Sequence, residues 1–397
     1  MITGSRVPGI EADSARIAAN LDLRYSVVEA FGPSHFSHLS TALSLSDARV
    51  TGGVLLNGAQ ISAPGGRAVA AGGLVMEGGI FCKRIVARGE VRLLGAQLPG
   101  GLFMQGAHLT DPGPRGVSLA LDNAVASTLD FSDGFTADGT VQMRATRVSG
   151  TLTFEGAVLN GRPDGHGPSL AASLMQAVDF DLALTRSPSG TVDLQGAQVS
   201  YLHDNEHSWP DVVELDGFVY GSIKRDEADE QREAVAHRVA WIRRSPGYNS
   251  QPYEQLASWY RKAGHDDDAR RALLAKQRHR RRTLQPPARV WGHLLDMTVG
   301  YGYRPWLAGV WLLALTLLGT LCFGTHSLKP IEQGKGAPFQ PLVYTLDLLI
   351  PIGGLGQRSA WYWPNESLQW LAYALIAFGW VLTTAVIAGV TRALQKN

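Results

Sequence analysis

Residues 150–159 read GTLTFEGAVL, and the chain returns to that phrase as GGVLLNGAQI from Gly52, GEVRLLGAQL from Gly89, GGLFMQGAHL from Gly100 and GTVDLQGAQV from Gly190. Looser copies run from Ala15 to Val28 and from Gly139 to Val148. A phrase repeated this often must fold by repeating one local structure. Its apolar letters alternate, Leu152 and Phe154, then Ala157 and Leu159 beyond a glycine, which is the period-2 pattern of short strands with one buried face. Gly89 to Gly100 and Gly139 to Gly150 are each 11 residues apart, whereas helical repeat units need roughly 33 residues or more. Ten or eleven residues hold one strand and one tight corner. The phrase therefore predicts a mainly β parallel solenoid over residues 1–223, with successive units stacked as rungs about 4.8 Å apart.

In this reading the fold class is a β-helix of the pentapeptide-like or bactofilin-like kind. Gly156 and Ala157 make a corner, and Leu152 and Phe154 fill a narrow interior. The chain has 45 glycines, but they sit at fixed places in an apolar pattern, which argues against a flexible linker. TDPGPRG at Thr110–Gly116 and NGRPDGHGP at Asn160–Pro168 read as surface loops between coils. A doubly wound α/β enzyme would alternate strands with helical patterns of about 10 to 15 residues, and none appears between residues 50 and 200. With 36 basic and 35 acidic residues the net charge is +1, so no global charge points to nucleic acid. The two cysteines, Cys82 and Cys322, supply neither a disulfide framework nor a cysteine-based zinc site.

After Gly221 the texture changes to DEADEQREAVAHRVAWIRR, with Val235, Val239 and Ile242 at helical spacing. Residues 224–290 are expected to form a helical connector whose first helix caps the repeat. Within it, YNSQPYEQLASWYRKAGHDDDARRALLAKQRHRRR resembles the helical hairpin of a tetratricopeptide repeat, with a tyrosine-containing first helix, Gly264 at the turn and Ala269 and Ala272 in the second helix. Eleven Lys or Arg residues accumulate from Arg261 to Arg304, densest at Arg278, Arg280, Arg281 and Arg282. Because an apolar segment follows, these four are candidates for contact with anionic lipid, which attracts a basic residue by about 1 kcal/mol.

Residues 291–397 read as a transmembrane hairpin. WLAGVWLLALTLLGTLCF at Trp306–Phe323 carries no charge and reaches roughly 27 Å as a helix. Leu368 to Leu394 is interrupted only by Arg392. Spans are predicted at about 305–323 and 368–391, with Trp306, Trp311, Trp361, Trp363 and Trp370 near their ends as interfacial anchors. Basic residues crowd before the first span and return as Arg392 and Lys396 after the second, while the loop holds only Lys329, Lys335 and Arg358. Both termini are thus expected in the cytoplasm, with the protein in the plasma (inner) membrane.

Between the spans, LVYTLDLLIPIGGLG at 342–356 is apolar, too short to cross, and glycine-rich at its end. Such a run can be re-entrant where protein or a water-filled cavity shelters it. The arrangement resembles a two-span pore-loop channel subunit, in which a short helix leads into backbone carbonyls that replace an ion's hydration shell. Asp347, Ile352, Gly353, Gly354, Leu355 and Gly356 are the candidate pore loop. The alternative is an interfacial loop that ties the hairpin together, with Asp347 capping a short helix. His203, Glu206 and His207 lie together in YLHDNEHSWP, but beside Pro210 and without helical pattern they read as a polar loop. No catalytic, cofactor or metal motif is present.

The combination of ARIAANLDLRYSVVE and RGEVRLLGAQLPGGLFMQGAHL, then SWYRKAGHDDDARRALLAKQ, then YTLDLLIPIGGLGQ, resembles actinobacterial proteins usually named membrane-associated oxidoreductase. The name implies redox activity, but no residue here carries it over. The residues themselves favour a membrane-anchored scaffold or sensor, homo-oligomeric, with a protein or small-molecule partner on its repeats and a gated pore as its sharper version.

Overall fold

The computed structural model describes residues 3–30, 33–34, 37–162, 164–165, 167–224, 235–303, 306–325, 329–331, 338–350, 354–362 and 366–394. The chain divides into two compact units, Met1–Ala272 and Leu273–Asn397.

In the first unit the alternating phrases do form short strands, and these assemble into two large sheets of 15 and 14 strands. The pairing is parallel throughout, apart from the antiparallel pair Pro33–Ser34 and Ser37–Ser44. The phrase from Gly52 puts Val54–Leu55 in the 14-stranded sheet and then Gln60–Ala70 in the 15-stranded one. Strand partners are therefore not consecutive phrases. Val54 pairs with Ile80, Ile80 with Leu102, Leu102 with Leu129 and Leu129 with Leu152.

This pairing corrects the expected fold class. A parallel solenoid with one strand and one corner per ten- or eleven-residue rung requires each phrase to pair with the next. Here the partners lie 22 to 27 residues apart, and the strands belong to two extended parallel sheets. With its C-terminal helices, the chain is of mixed α and β character. Local alternation specifies which face of a strand is buried, but not which later strand it meets.

The corner forms at Gly156 and Ala157. Gly156 adopts a left-handed φ of 70°, and Ala157 donates its N–H to the Phe154 carbonyl at 2.9 Å, closing a four-residue turn. Ala157 itself is fully buried, so it belongs to the interior with Leu152 and Phe154. The same turn is made without glycine at Tyr25, Arg84 and Asn123, where φ is 58°, 54° and 59°. Phe131 packs against both Phe135 and Phe154, with ring centroids 5.1 and 4.9 Å apart.

Helices close this unit. α1 (Val235–Ile242) and α2 (Gln251–Lys262) bind the last strands through side chains that satisfy exposed backbone groups. Gln251 donates to the Phe218 carbonyl and accepts from the Gly217 amide, and Gln255 donates to the Tyr220 carbonyl. Arg238 of α1 forms a bidentate pair with Asp204, both bonds at 2.8 Å, over the rings of Trp209 and Trp241. Covering a sheet edge in this way removes a template for unwanted pairing. Residues 225–234, which include the start of the stretch DEADEQREAVAHRVAWIRR, lie outside the described residues. α3 (Asp266–Thr283) begins beyond Gly264, whose φ of 81° makes the turn. Ala269 and Ala272 are buried. The boundary between the units falls within α3.

The second unit contains α4 (Pro286–Val299), α5 (Trp306–Gly324), α6 (Pro341–Leu349), α7 (Gln357–Ala360) and α8 (Glu366–Leu394). α5 and the Glu366–Thr384 part of α8 are long and apolar enough to cross a membrane. At 1.5 Å per residue the 19 residues of α5 reach about 28 Å, close to a bilayer's hydrocarbon thickness. Both keep wide apolar faces open: Leu313, Leu317 and Leu321 on α5, Phe378 and Val381 on α8. Leu321 is 69% exposed, and a contiguous apolar face of this kind marks an interaction surface for a membrane or another protein.

Candidate functional site

α6 starts at Pro341, whose missing N–H costs nothing in a first turn, and its residues Tyr344, Leu348 and Leu349 recur at helical spacing. They enter a core with Phe323 of α5 and Ala372 and Leu375 of α8. Two glycines allow this close approach. A β-carbon on Gly319 of α5 would overlap the Thr345 methyl, and one on Gly379 of α8 would overlap the Leu349 carbonyl oxygen. The short helix is thus seated against both apolar helices.

Asp347 is fully buried. One carboxylate oxygen accepts the Leu355 amide at 2.7 Å and the other accepts the Arg358 amide at 2.8 Å. Gly356 between them adopts a φ of 79° and precedes the first turn of α7. A buried carboxylate is tolerable when backbone donors satisfy it, and here it folds the glycine-rich segment back on α6. Gln357, also buried, donates to the Pro338 carbonyl at 3.0 Å and so ties the segment to the approach to α6. Lys329–Pro330 and Trp361–Tyr362 complete the loop as an antiparallel pair.

Of the six candidate pore residues, the structure places Asp347 inside and Gly354, Leu355 and Gly356 on the surface, Leu355 being 54% exposed. Ile352 and Gly353 lie outside the described residues, as does Trp363. The apolar run pointed to this loop, but nothing in its spacing showed that Asp347 would serve amides 8 and 11 residues on. Gly319 and Gly379 also gave no sign, since a glycine in an apolar helix looks alike whether or not a neighbour presses on it.

The four candidate lipid-contacting arginines separate into two pairs. Arg278 and Arg281 both bind Asp296 of α4 at 3.0 Å, and Arg281 also reaches the Gly292 carbonyl. Burial pushes the Asp296 carboxyl up, but hydrogen bonds and charge from the two guanidiniums outweigh it and hold the group below its usual range. Arg280 and Arg282 are exposed. This division follows helical geometry, because residues 278 and 281 share a face three apart.

His203, Glu206 and His207 do not converge. His203 meets Asp181 at 2.8 Å, Glu206 meets His237 at 3.1 Å, and Asn205 caps the short 3-10 turn Glu206–Ser208. Among the described residues, no group of three or more His, Cys, Asp or Glu side chains is placed to hold a metal ion. Compared with models of known families, with characterised proteins and with solved structures, the chain matches none.

Proposed function

We propose that this protein is a membrane-anchored scaffold or sensor. The observation that carries the reading is the exposed apolar faces of α5 and α8, borne by the same chain as two large parallel sheets whose outer faces and loops offer surface to a partner. α5 and α8 cross the plasma membrane as a hairpin with both termini in the cytoplasm. Arg280 and Arg282 contact anionic headgroups, while Arg278 and Arg281 hold α3 to α4. Alkaline extraction of membranes tests the anchor: the full chain stays with the bilayer, and a Leu313→Lys/Leu317→Lys variant is released. Release of the unaltered chain would sink the reading. Substituted-cysteine labelling at both termini from the two sides of the membrane checks orientation.

One observation favours a second reading, a pore-loop channel. The short helix α6 packs against both apolar helices and is followed by a glycine-rich segment, the order of parts a pore loop needs. The scaffold stays ahead because Asp347 spends both oxygens on backbone amides. Planar-bilayer recording of the purified protein distinguishes the two, with Asp347→Asn as the comparison. A monomer without conductance in any cation or anion solution removes the channel.

A further inference from the structure

We propose that Arg67, Arg92 and Arg115 form a binding site for a small phosphate-bearing anion, with the buried Glu90 carboxylate as its internal competitor. The site arises where two strands of the 15-stranded sheet bend together. In Gln60–Ala70 the register shifts on either side of Arg67, just after Pro64 and Gly65, and Arg67 pairs with Glu90 of Val86–Arg92. At Gly89, whose φ is 118°, the Ala63 carbonyl oxygen and the Ala68 amide leave no room for a side chain. Glu90 and Arg92 are two apart on their strand and so emerge on one face. The TDPGPRG loop brings Arg115 over them and lays Gly113 against Glu90, where a β-carbon would be 3.1 Å from the Glu90 side chain.

The charges do not balance. Glu90 is 2% exposed, and its nearest cations are Arg115 Nη2 at 3.5 Å and Arg92 Nη1 at 3.8 Å, both from Oε1. That oxygen is buried without a hydrogen bond, and so is Nε of Arg67. Asp122 is the other carboxylate acting on Arg92, and its Oδ1 accepts the Arg144 amide. Three guanidiniums thus face two carboxylates. Burial, then repulsion from Arg67, lowers the Arg92 pKa despite attraction to Glu90. A guanidinium carries five donors in a fixed fork suited to phosphoryl oxygens, and Arg115, 65% exposed, leaves one side open to solvent.

The experiment titrates inorganic phosphate into the full chain in phosphatidylcholine nanodiscs, at constant ionic strength balanced with chloride, and reads binding by calorimetry. Saturable binding is expected. Arg115→Gln, with its fold checked by circular dichroism, should weaken it at least about tenfold, the low end for one charge-assisted hydrogen bond. Glu90→Gln should tighten it by removing the competitor. A parallel arm offers phosphatidic acid vesicles without free phosphate. Absence of saturable phosphate binding, an unchanged affinity in Arg115→Gln, or binding to the lipid arm alone would each overturn the proposal.

Discussion

Gly379 of α8 and Leu349 of α6 touch through backbone, the Leu349 carbonyl oxygen occupying the place of a β-carbon on residue 379. A carbonyl cannot rotate out of the way as a side chain can. Gly379→Leu should therefore destabilise the helical unit by at least the 1–3 kcal/mol, roughly, that overpacking costs. Gly309→Leu on α5, where nothing lies within 4 Å, should stay within about 0.5 kcal/mol of the parent. Thermal unfolding in detergent compares the two, and equal losses would refute the close packing.

The Asp296 carboxyl is held below its ordinary pKa by Arg278 and Arg281, against the opposing effect of burial. An acid with a lowered folded-state pKa contributes stability that is present above its unfolded pKa and is lost as pH falls through the folded one. Asp296→Asn should cost about 1 kcal/mol at neutral pH, a modest figure because Arg278 is partly exposed and screened. The thermal midpoints of variant and parent should converge below the ordinary carboxylate range. A gap that persists in acid would assign the loss to packing instead.

Burial raises the Cys82 thiol to about 12. The thiolate is the nucleophile, so a maleimide at pH 8 should leave Cys82 unmodified in the folded chain and label it on denaturation. The linkage has the opposite sign to that of Asp296. From the ordinary 9.0 up to about 12, the unfolded chain loses the proton first, and stability falls as pH rises through that window. Rapid labelling of Cys82 under native conditions would contradict its place between the sheets.

Phe154 is fully buried, with its ring 4.9 Å from Phe131. Phe154→Ala should cost about 3–5 kcal/mol in denaturant unfolding of the sheets. Phe81 stacks on Phe103 at 5.2 Å but is 37% exposed. Its replacement by alanine should cost less than half as much, and the reverse order would mean the interior has been assigned to the wrong face.

What the sequence could convey followed the range of each interaction. Leu152 and Phe154 were legible as interior because alternation is a local signal. Both apolar helices were legible from composition alone, and Gly264 from its place between two helical patterns. The pairing of Val54 with Ile80 was not, since any of several similar phrases offers an equivalent partner. Ala157 reads as part of a corner because it follows glycine, and its amide does close the turn, but its burial among the interior residues carried no such local signal. The helical spacing of Arg278 and Arg281 was visible in advance, but their shared partner Asp296 sits on another helix. Asp347 was singled out for its apolar setting, and its actual partners are backbone groups that carry no letter.

The offset between strand partners also governs how such a chain can grow or shrink. Ile80 and Leu102 occupy equivalent positions 22 residues apart, so excising residues 80–101 would hand Leu102 the partner that Ile80 had and leave every later strand in its own sheet. Losing a single eleven-residue phrase would instead send all that follows to the opposite sheet. Circular dichroism of the two deletions should show strand content kept in the first and lost in the second. The strands of the first unit thus recur by pairs of phrases, and a duplication that keeps each strand in its own sheet would copy two at a time.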